Sequence, residues 1–149
     1  GWSNRYEVSL LGGVNSRIDE IQAALLLLRL QKLDEENRKR RNIVKSYNES
    51  LSGKRKMVFK ENESFVGHLA VLVTDSREKD QATLNAAGIA TGVHYPILDS
   101  DQPAWKSIFE NQISPIAATN SQRILSLPCF PRMAENEIQL VCKTLSELE

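Results

Sequence analysis

Apolar residues recur at a helical spacing through the first third of the chain. One face of the predicted helix is lined by Ile18, Ile21, Leu25 and Leu28. These intervals of three and four residues match the period of an α-helix, and Ser52-Gly53 is typical of a helix end. The pattern predicts one long helix over residues 17–51. Its length of roughly 50 Å favours a kink midway.

The middle of this predicted helix is apolar on every side. Residues 25–28 are four consecutive leucines that cover most of the helix circumference. A helix that is apolar all round is normally buried all round, and one small domain is not large enough to enclose it. We therefore expect another domain or another subunit to cover the leucines. The run is far too short to span a bilayer.

The start of the helix is a candidate anion site. Gly12 and Gly13 permit a sharp turn, and Asn15 or Ser16 then offers a side-chain oxygen to the first free N–H groups of the helix. Ser16 and Asp19 have the spacing of a capping box. A helix N-terminus with free N–H groups also binds phosphate well. Simple capping and anion binding are both open from the residues alone.

The remaining two thirds alternate short strand and helix patterns. Strands are predicted at residues 56–59, 65–73, 89–93 and 124–128, and helices at 76–87, 116–123 and 134–148. The last helix should turn Ile138, Val141, Cys142, Leu145 and Leu148 inward. His68 is expected to be a packed strand residue. The prediction is an α/β fold of α+β-like character, with a sheet of about three to four strands and helices packed on it.

Composition, net charge and cysteine spacing indicate which partners and sites this protein is not expected to have. The 149 residues are 41% apolar and 26% charged, with zero formal net charge. Bulk charge therefore does not favour a nucleic-acid or membrane partner. The basic run at residues 38–41 follows Asp34, Glu35 and Glu36, which is typical of a solvated helix face with ion pairs. Cys129 and Cys142 lack metal-ligand spacing, so we expect no metal site and a reducing, cytoplasmic compartment.

Three motifs in order resemble the DegT-type sugar aminotransferases, which are pyridoxal phosphate (PLP) enzymes of fold type I. Residues 13–24 match the signature G-x-N-S-R-[IL]-D-E-[IL]-Q-A-A, residues 87–96 resemble A-G-I-x-T-G-x-H-Y-P, and residues 125–128 match L-S-L-P. The chain departs from the family in two places. Ser100-Asp101-Gln102-Pro103-Ala104-Trp105 stands where the family often has H-L-Q-P-A-Y, so the histidine is missing and tryptophan replaces tyrosine, and Ala134 replaces threonine. The resemblance extends over nearly the whole chain.

The resemblance implies particular site residues. Asn15 would reach across a homodimer interface to the phosphate of PLP held mainly by the partner subunit, and His94 and Tyr95 would line the sugar pocket. Arg5 would lie near the nucleotide of the substrate. For His94 and Tyr95 the alternative is a loop pair packed under Pro96, and for Arg5 it is an exposed arginine beside a packed tyrosine.

The family's Schiff-base lysine belongs to its large N-terminal domain, and none of this chain's lysines stands in a matching context. We therefore expect no catalytic residue in this chain and no transamination by it alone. Residues 1–16 would lead from the large domain, residues 17–52 would form an interdomain helix, and residues 53–149 would form the small C-terminal domain. The chain opens without Met, which suggests a fragment.

The implied activity is transfer of an amino group, with glutamate as donor, to a nucleotide-linked keto-sugar. One alternative is a non-catalytic module that dimerises through residues 25–28. A second alternative is a nucleic-acid binder that uses residues 38–41, but the zero net charge and the interleaved acids weigh against it.

Overall fold

The computed structural model describes residues 2–4, 7–8, 16–60, 62–104 and 114–148. The chain forms two compact units, Gly1–Asp34 and Glu35–Glu149. The first unit contains two short antiparallel strands, β1 (Trp2–Asn4) and β2 (Glu7–Val8), and a helix, α1 (Glu20–Leu30). The second unit contains the sheet and the hydrophobic core.

Helix α1 begins later than the capping pattern predicts. Its N-cap is Asp19, whose carboxylate accepts a hydrogen bond from the backbone N–H of Gln22 at 2.8 Å. The prediction that Ser16 starts a capping box is therefore wrong. Aspartate is among the strongest N-cap residues, and its negative charge is stabilised by the helix dipole, so the helix begins at Asp19 and Ser16 lies outside it.

The stretch predicted as one helix consists of two. A turn at residues 31–32 separates α1 from α2 (Leu33–Glu49). The backbone N–H of Lys32 donates to the carbonyl of Arg29 at 3.0 Å, which is the tighter three-residue spacing of a helix end. The interruption therefore comes from a local change of hydrogen-bond spacing, without a proline or a glycine.

The two helices differ in burial. None of the residues of α1 is buried, whereas α2 buries Ile43, Val44 and Tyr47. Of these two helices, only α2 therefore contributes a face to the hydrophobic core.

A three-stranded antiparallel sheet lies at the centre of the second unit. Its strands are β3 (Lys56–Met57), β4 (Ala70–Val73) and β5 (Ile124–Leu127), in the order β3-β4-β5. The other helices of this unit are α3 (Arg77–Ala86), α4 (Pro115–Ser121) and α5 (Glu135–Ser146). Helix α3 contacts both β5 and α5. The predicted fold of a small sheet with packed helices is confirmed.

All four predicted strands are shorter in the structure, two of them markedly so. Residues 65–69 lie outside β4 because Gly67 is buried with φ of 62°, a left-handed conformation that cannot continue a strand. His68 consequently lies in a bend and is exposed, so its prediction as a packed strand residue is wrong. Residues 89–93 contribute a single bridge, between Gly92 and Ser126.

The core of the second unit joins α2, the sheet, α3 and α5. Its most completely buried large side chains include Tyr47, Leu72, Leu84, Leu125 and Leu145. The phenol of Tyr47 donates to the carbonyl of Pro128 at 3.0 Å, which satisfies its polar end inside the core. The predicted inward face of α5 is confirmed: Val141, Leu145 and Leu148 are buried, and Ile138 and Cys142 pack partly buried against them.

Helix α5 lacks half of its N-terminal cap. Ala134 is its N-cap and has no side-chain acceptor, while the Glu137 carboxylate accepts from the Ala134 backbone N–H at 2.7 Å. Ala134→Thr supplies the missing oxygen, so we expect it to raise the free energy of unfolding by about 1 kcal/mol. Urea denaturation of the variant and the original protein measures the difference. Ala134→Val, which is isosteric with threonine but has no acceptor, is the control and should give no such gain.

Candidate functional site

The loop that carries His94 and Tyr95 is held from two sides. On one side, Gly92 exchanges two backbone hydrogen bonds with Ser126 of β5, at N···O distances of 3.0 and 2.7 Å. On the other side, Gln81 of α3 donates to the Thr91 hydroxyl at 3.1 Å, and that hydroxyl donates to Asn85 at 3.3 Å. The backbone just before His94 is therefore fixed to both a strand and a helix.

The imidazole of His94 lies against β5. Its Nδ1 is 2.9 Å from the hydroxyl oxygen of Ser126, and a Cβ placed on Gly92 would come within 3.1 Å of its Cε1. The next ring, Tyr95, meets it edge-to-face with centroids 5.4 Å apart and an interplanar angle of 84°. The peptide bond between the two residues is cis. The structure thus brings His94 and Tyr95 together beside Ser126.

Both rings are available to a ligand in this chain. Tyr95 is 69% exposed and His94 is also exposed, so neither residue belongs to the hydrophobic core. An imidazole and a phenol can each donate and accept hydrogen bonds. This pair can therefore bind hydroxyl or phosphate oxygens.

The described surface also contains open concavities elsewhere. One of about 250 Å³ is lined by residues of α2 and of the loop after β3, including Arg41, Lys45 and Lys60. A second of about 380 Å³ lies at the start of α3, around Ser76 and Arg77. Neither includes His94 or Tyr95.

Asn15 and Arg5 lie outside the described residues, so their predicted roles stay predictions. Asp19, which follows Asn15 and is described, affects the candidate anion site at the helix start. Asp19 places a carboxylate at the N-terminus of α1 and takes up the N–H of Gln22. A phosphate dianion would be repelled there. Asp19 therefore disfavours a phosphate at the N-cap of α1, and the contact predicted for Asn15 stays a prediction.

The basic run of α2 is an ion-paired helix face, as predicted. Lys39 pairs with Glu35 at 2.8 Å, and Arg40 lies 4.0 Å from Glu36, both at the i, i+4 spacing. Arg41 instead donates to the carbonyl of Phe65 at 3.4 Å. These contacts neutralise part of the run, which argues against a nucleic-acid interface.

Sequence analysis missed a buried ion pair near the sheet. Arg55 donates twice to the Asp80 carboxylate, at 2.8 Å each, and Thr74 donates to the same carboxylate at 2.6 Å. Asp80 is 1% exposed. Its burial by itself raises its pKa, but the hydrogen bonds from Arg55 and Thr74 and the positive charge of Arg55 lower that pKa to below the usual value.

Two further titratable groups, the buried Tyr47 and the partly buried Cys129, are unreactive at neutral pH. Burial raises the pKa of the Cys129 thiol to about 11, against a smaller opposite effect of the Arg40 charge. Burial likewise raises the pKa of the Tyr47 phenol. Both groups stay protonated at neutral pH, and a protonated thiol is a poor nucleophile. Neither is a candidate for acid–base or nucleophilic chemistry.

The described residues contain no cluster of three or more His, Cys, Asp or Glu side chains suited to a metal ion. In the same part of the chain, no helix is both long enough and apolar enough to cross a membrane.

Comparison with known proteins identifies a family match over almost the full chain. A family model described as the DegT/DnrJ/EryC1/StrS aminotransferase family matches residues 1–146. Among curated proteins, a dTDP-3-amino-3,6-dideoxy-alpha-D-galactopyranose transaminase of Aneurinibacillus thermoaerophilus is 34% identical over 148 residues. That alignment covers 98% of this chain and 40% of the relative.

Solved structures agree with this match. DesV of S. venezuelae, in complex with a ketimine intermediate, superposes with a TM-score of 0.82 at 30% identity, covering 99% of this chain and 40% of DesV. NtdA of Bacillus subtilis with bound cofactor PMP gives a TM-score of 0.77 at 27% identity, covering 91% of this chain and 33% of NtdA. The chain therefore spans about 40% of the length of the A. thermoaerophilus relative and of DesV.

Proposed function

Because the chain belongs to the DegT/DnrJ/EryC1/StrS aminotransferase family, we propose that it is the C-terminal part of a PLP-dependent enzyme that aminates a nucleotide-linked keto-sugar. The observation that carries the proposal is the family match, which runs from residue 1 to residue 146. The A. thermoaerophilus relative is by its name a transaminase of a dTDP-linked amino sugar. Glutamate is the proposed amino donor.

In the proposed enzyme, this chain and a larger domain have different roles. PLP supplies an electron sink for amino-group transfer, and the enzyme must provide a lysine that binds the cofactor covalently. We assign that lysine to the portion of the relatives that this chain does not span. On this account the chain supplies no catalytic residue and does not transaminate alone; it supplies substrate contacts, one cofactor contact and an interface, in the cytoplasm.

Asn15 is the proposed cofactor contact. Its carboxamide offers two N–H donors to the PLP phosphate of the partner subunit in a homodimer. The support is its place in the G-x-N-S-R motif, to which the family resemblance assigns this role. We assign no chemical step to the described residues.

His94 and Tyr95 are the proposed sugar contacts. Both rings are exposed, and their loop is anchored to β5 and α3 at either side. Polar groups on an anchored loop lose little conformational entropy when they bind and orient a substrate. Arg5 is the proposed contact to the nucleotide, where a guanidinium suits phosphate oxygens.

Replacing Asn15 tests the cofactor assignment. In the intact enzyme, Asn15→Ala should raise the dissociation constant for PLP by about 10-fold, because a hydrogen bond to a charged group is lost. Fluorescence titration of the apoenzyme with PLP measures it. Ser16→Ala removes the neighbouring exposed side chain and is the control. The melting temperature of the apoenzyme should be unchanged in both, and an unaltered PLP affinity in Asn15→Ala would contradict the assignment.

A non-catalytic dimerisation module is the second candidate, and the exposure of α1 favours it. Leu25, Leu26, Leu27 and Leu28 are each more than half exposed, which is typical of a surface that another protein covers. The two candidates differ in cofactor chemistry. An intact protein that shows no absorption band of PLP would favour the module.

A further inference from the structure

The buried hydroxyl of Ser126 is a polar group that the proposed function has not used. Ser126 lies in β5 between Leu125 and Leu127 and is 6% exposed, close to the burial of Leu127 itself. A polar side chain in a buried strand costs free energy unless it is hydrogen-bonded. Its partner in the structure is Nδ1 of His94, at 2.9 Å.

The direction of this hydrogen bond follows from counting protons. A buried hydroxyl must place its proton on an acceptor, and Nδ1 of His94 is the acceptor within reach. A neutral imidazole carries a proton on one nitrogen and a lone pair on the other. If Ser126 donates to Nδ1, the proton of the neutral ring is on Nε2. The opposite arrangement would leave the hydroxyl proton buried without a partner.

The backbone fixes the same geometry. Gly92 and Ser126 exchange two backbone hydrogen bonds, so the residue two positions before His94 is paired with the residue that its ring contacts. The ring also lies over Gly92, where a Cβ would come within 3.1 Å of Cε1. The pairing of Gly92 with Ser126 thus places the His94 ring beside the Ser126 hydroxyl.

We infer that Ser126 is a positioning residue that holds neutral His94 as the Nε2–H tautomer, so that the exposed ring presents an N–H donor to an oxygen acceptor of the substrate. The class of acceptor is a sugar hydroxyl or a phosphate oxygen. This inference rests on the proposed function of His94 as a substrate contact. A ring that was free to rotate and to change tautomer would direct this donor at the substrate only part of the time, and substrate binding would weaken accordingly.

The test uses the intact protein with 15N-labelled histidine side chains, at a pH where the imidazoles are neutral. His94→Gln assigns the signals of His94, and the exposed His68 is an internal reference. We expect the 15N shifts to report a protonated Nε2 and an unprotonated Nδ1 in the original protein, a mixture of tautomers in Ser126→Ala, and recovery in Ser126→Thr. Ser121→Ala is the matched control, because Ser121 is also 6% exposed and donates to the carbonyl of Ala118.

Kinetics complete the test. Ser126→Ala should raise KM for the nucleotide-sugar about 5-fold with little change in kcat, since one hydrogen bond to substrate is weakened, and Ser121→Ala should not. A protonated Nδ1 in the original protein would overturn the role of Ser126. The role would also be overturned if Ser126→Ala left both the 15N shifts and KM unchanged while His94→Gln raised KM. If His94→Gln itself leaves KM unchanged, the proposed substrate contact is wrong instead.

Discussion

Asp80→Asn should lower the free energy of unfolding of this protein by about 3 kcal/mol, because it breaks a buried ion pair and leaves the partner charge uncompensated. Arg55 is held by two hydrogen bonds to the carboxylate, and its side chain is only 13% exposed. Asparagine keeps the volume but presents one oxygen and no charge. Denaturant unfolding followed by circular dichroism measures the loss.

A second aspartate–arginine pair gives the matched control. Asp75 contacts Arg123 at 2.7 Å, but its side chain is 57% exposed. Exposed ion pairs contribute between zero and about 1 kcal/mol, so Asp75→Asn should have a small effect. Equal losses in the two variants would contradict the view that burial makes the Arg55–Asp80 pair important.

The same pair predicts how stability depends on pH. The pKa of Asp80 is lowered in the folded protein by its hydrogen bonds and the Arg55 charge, which outweigh its burial. The unfolded chain has an ordinary carboxyl pKa of about 3.9. The contribution of Asp80 is therefore complete above that value and is lost as pH falls through the lower folded pKa. Asp80→Asn should flatten this part of the pH–stability curve.

The chain on its own should self-associate through α1. None of the residues of this helix is buried, and its leucines are exposed by 54% to 65%. Burying a leucine contributes about 2 kcal/mol, so Leu25→Glu with Leu28→Glu should raise the dissociation constant by at least about 100-fold. Sedimentation velocity over a range of concentrations measures the change.

An isolated exposed leucine on another helix serves as the control for this experiment. Leu140 of α5 is 46% exposed, and Leu140→Glu adds one charge while the sequence of α1 stays unchanged. It should leave the association unchanged. A chain that stays monomeric at high concentration, or that associates equally well in the double variant, would contradict the interface assigned to α1.

Sequence patterns predicted those parts of the fold that depend on local spacing. The inward face of α5 follows from its helical period, and Gly88, with φ of 80°, follows α3 as a glycine does after a helix end. The prediction of an extended strand around His68 was wrong, because Gly67 within this apolar run has a left-handed conformation. In that conformation a Cβ on Gly67 would lie 3.0 Å from the Cβ of Arg40. Because Gly67 and Arg40 are 27 positions apart, the pattern of neighbouring residues does not reveal this contact.

The candidate site was predicted only as far as its motif residues. The resemblance predicted His94 and Tyr95 as site residues. The contact of Ser126 with His94 and the Arg55–Asp80 pair were not predicted, because each contact joins side chains that are far apart in sequence. One signal was available: Ser126 is a polar residue in an otherwise buried strand, and such a residue needs a partner. The identity of that partner required coordinates.

The most direct test of the central claim is borohydride reduction of the intact protein, followed by mass mapping of its peptides. The claim is that this chain completes a PLP enzyme whose cofactor-binding lysine belongs to the larger domain. It predicts a phosphopyridoxyl group on a lysine outside these 149 residues. A modified lysine within this chain, or no modified lysine at all, would contradict it.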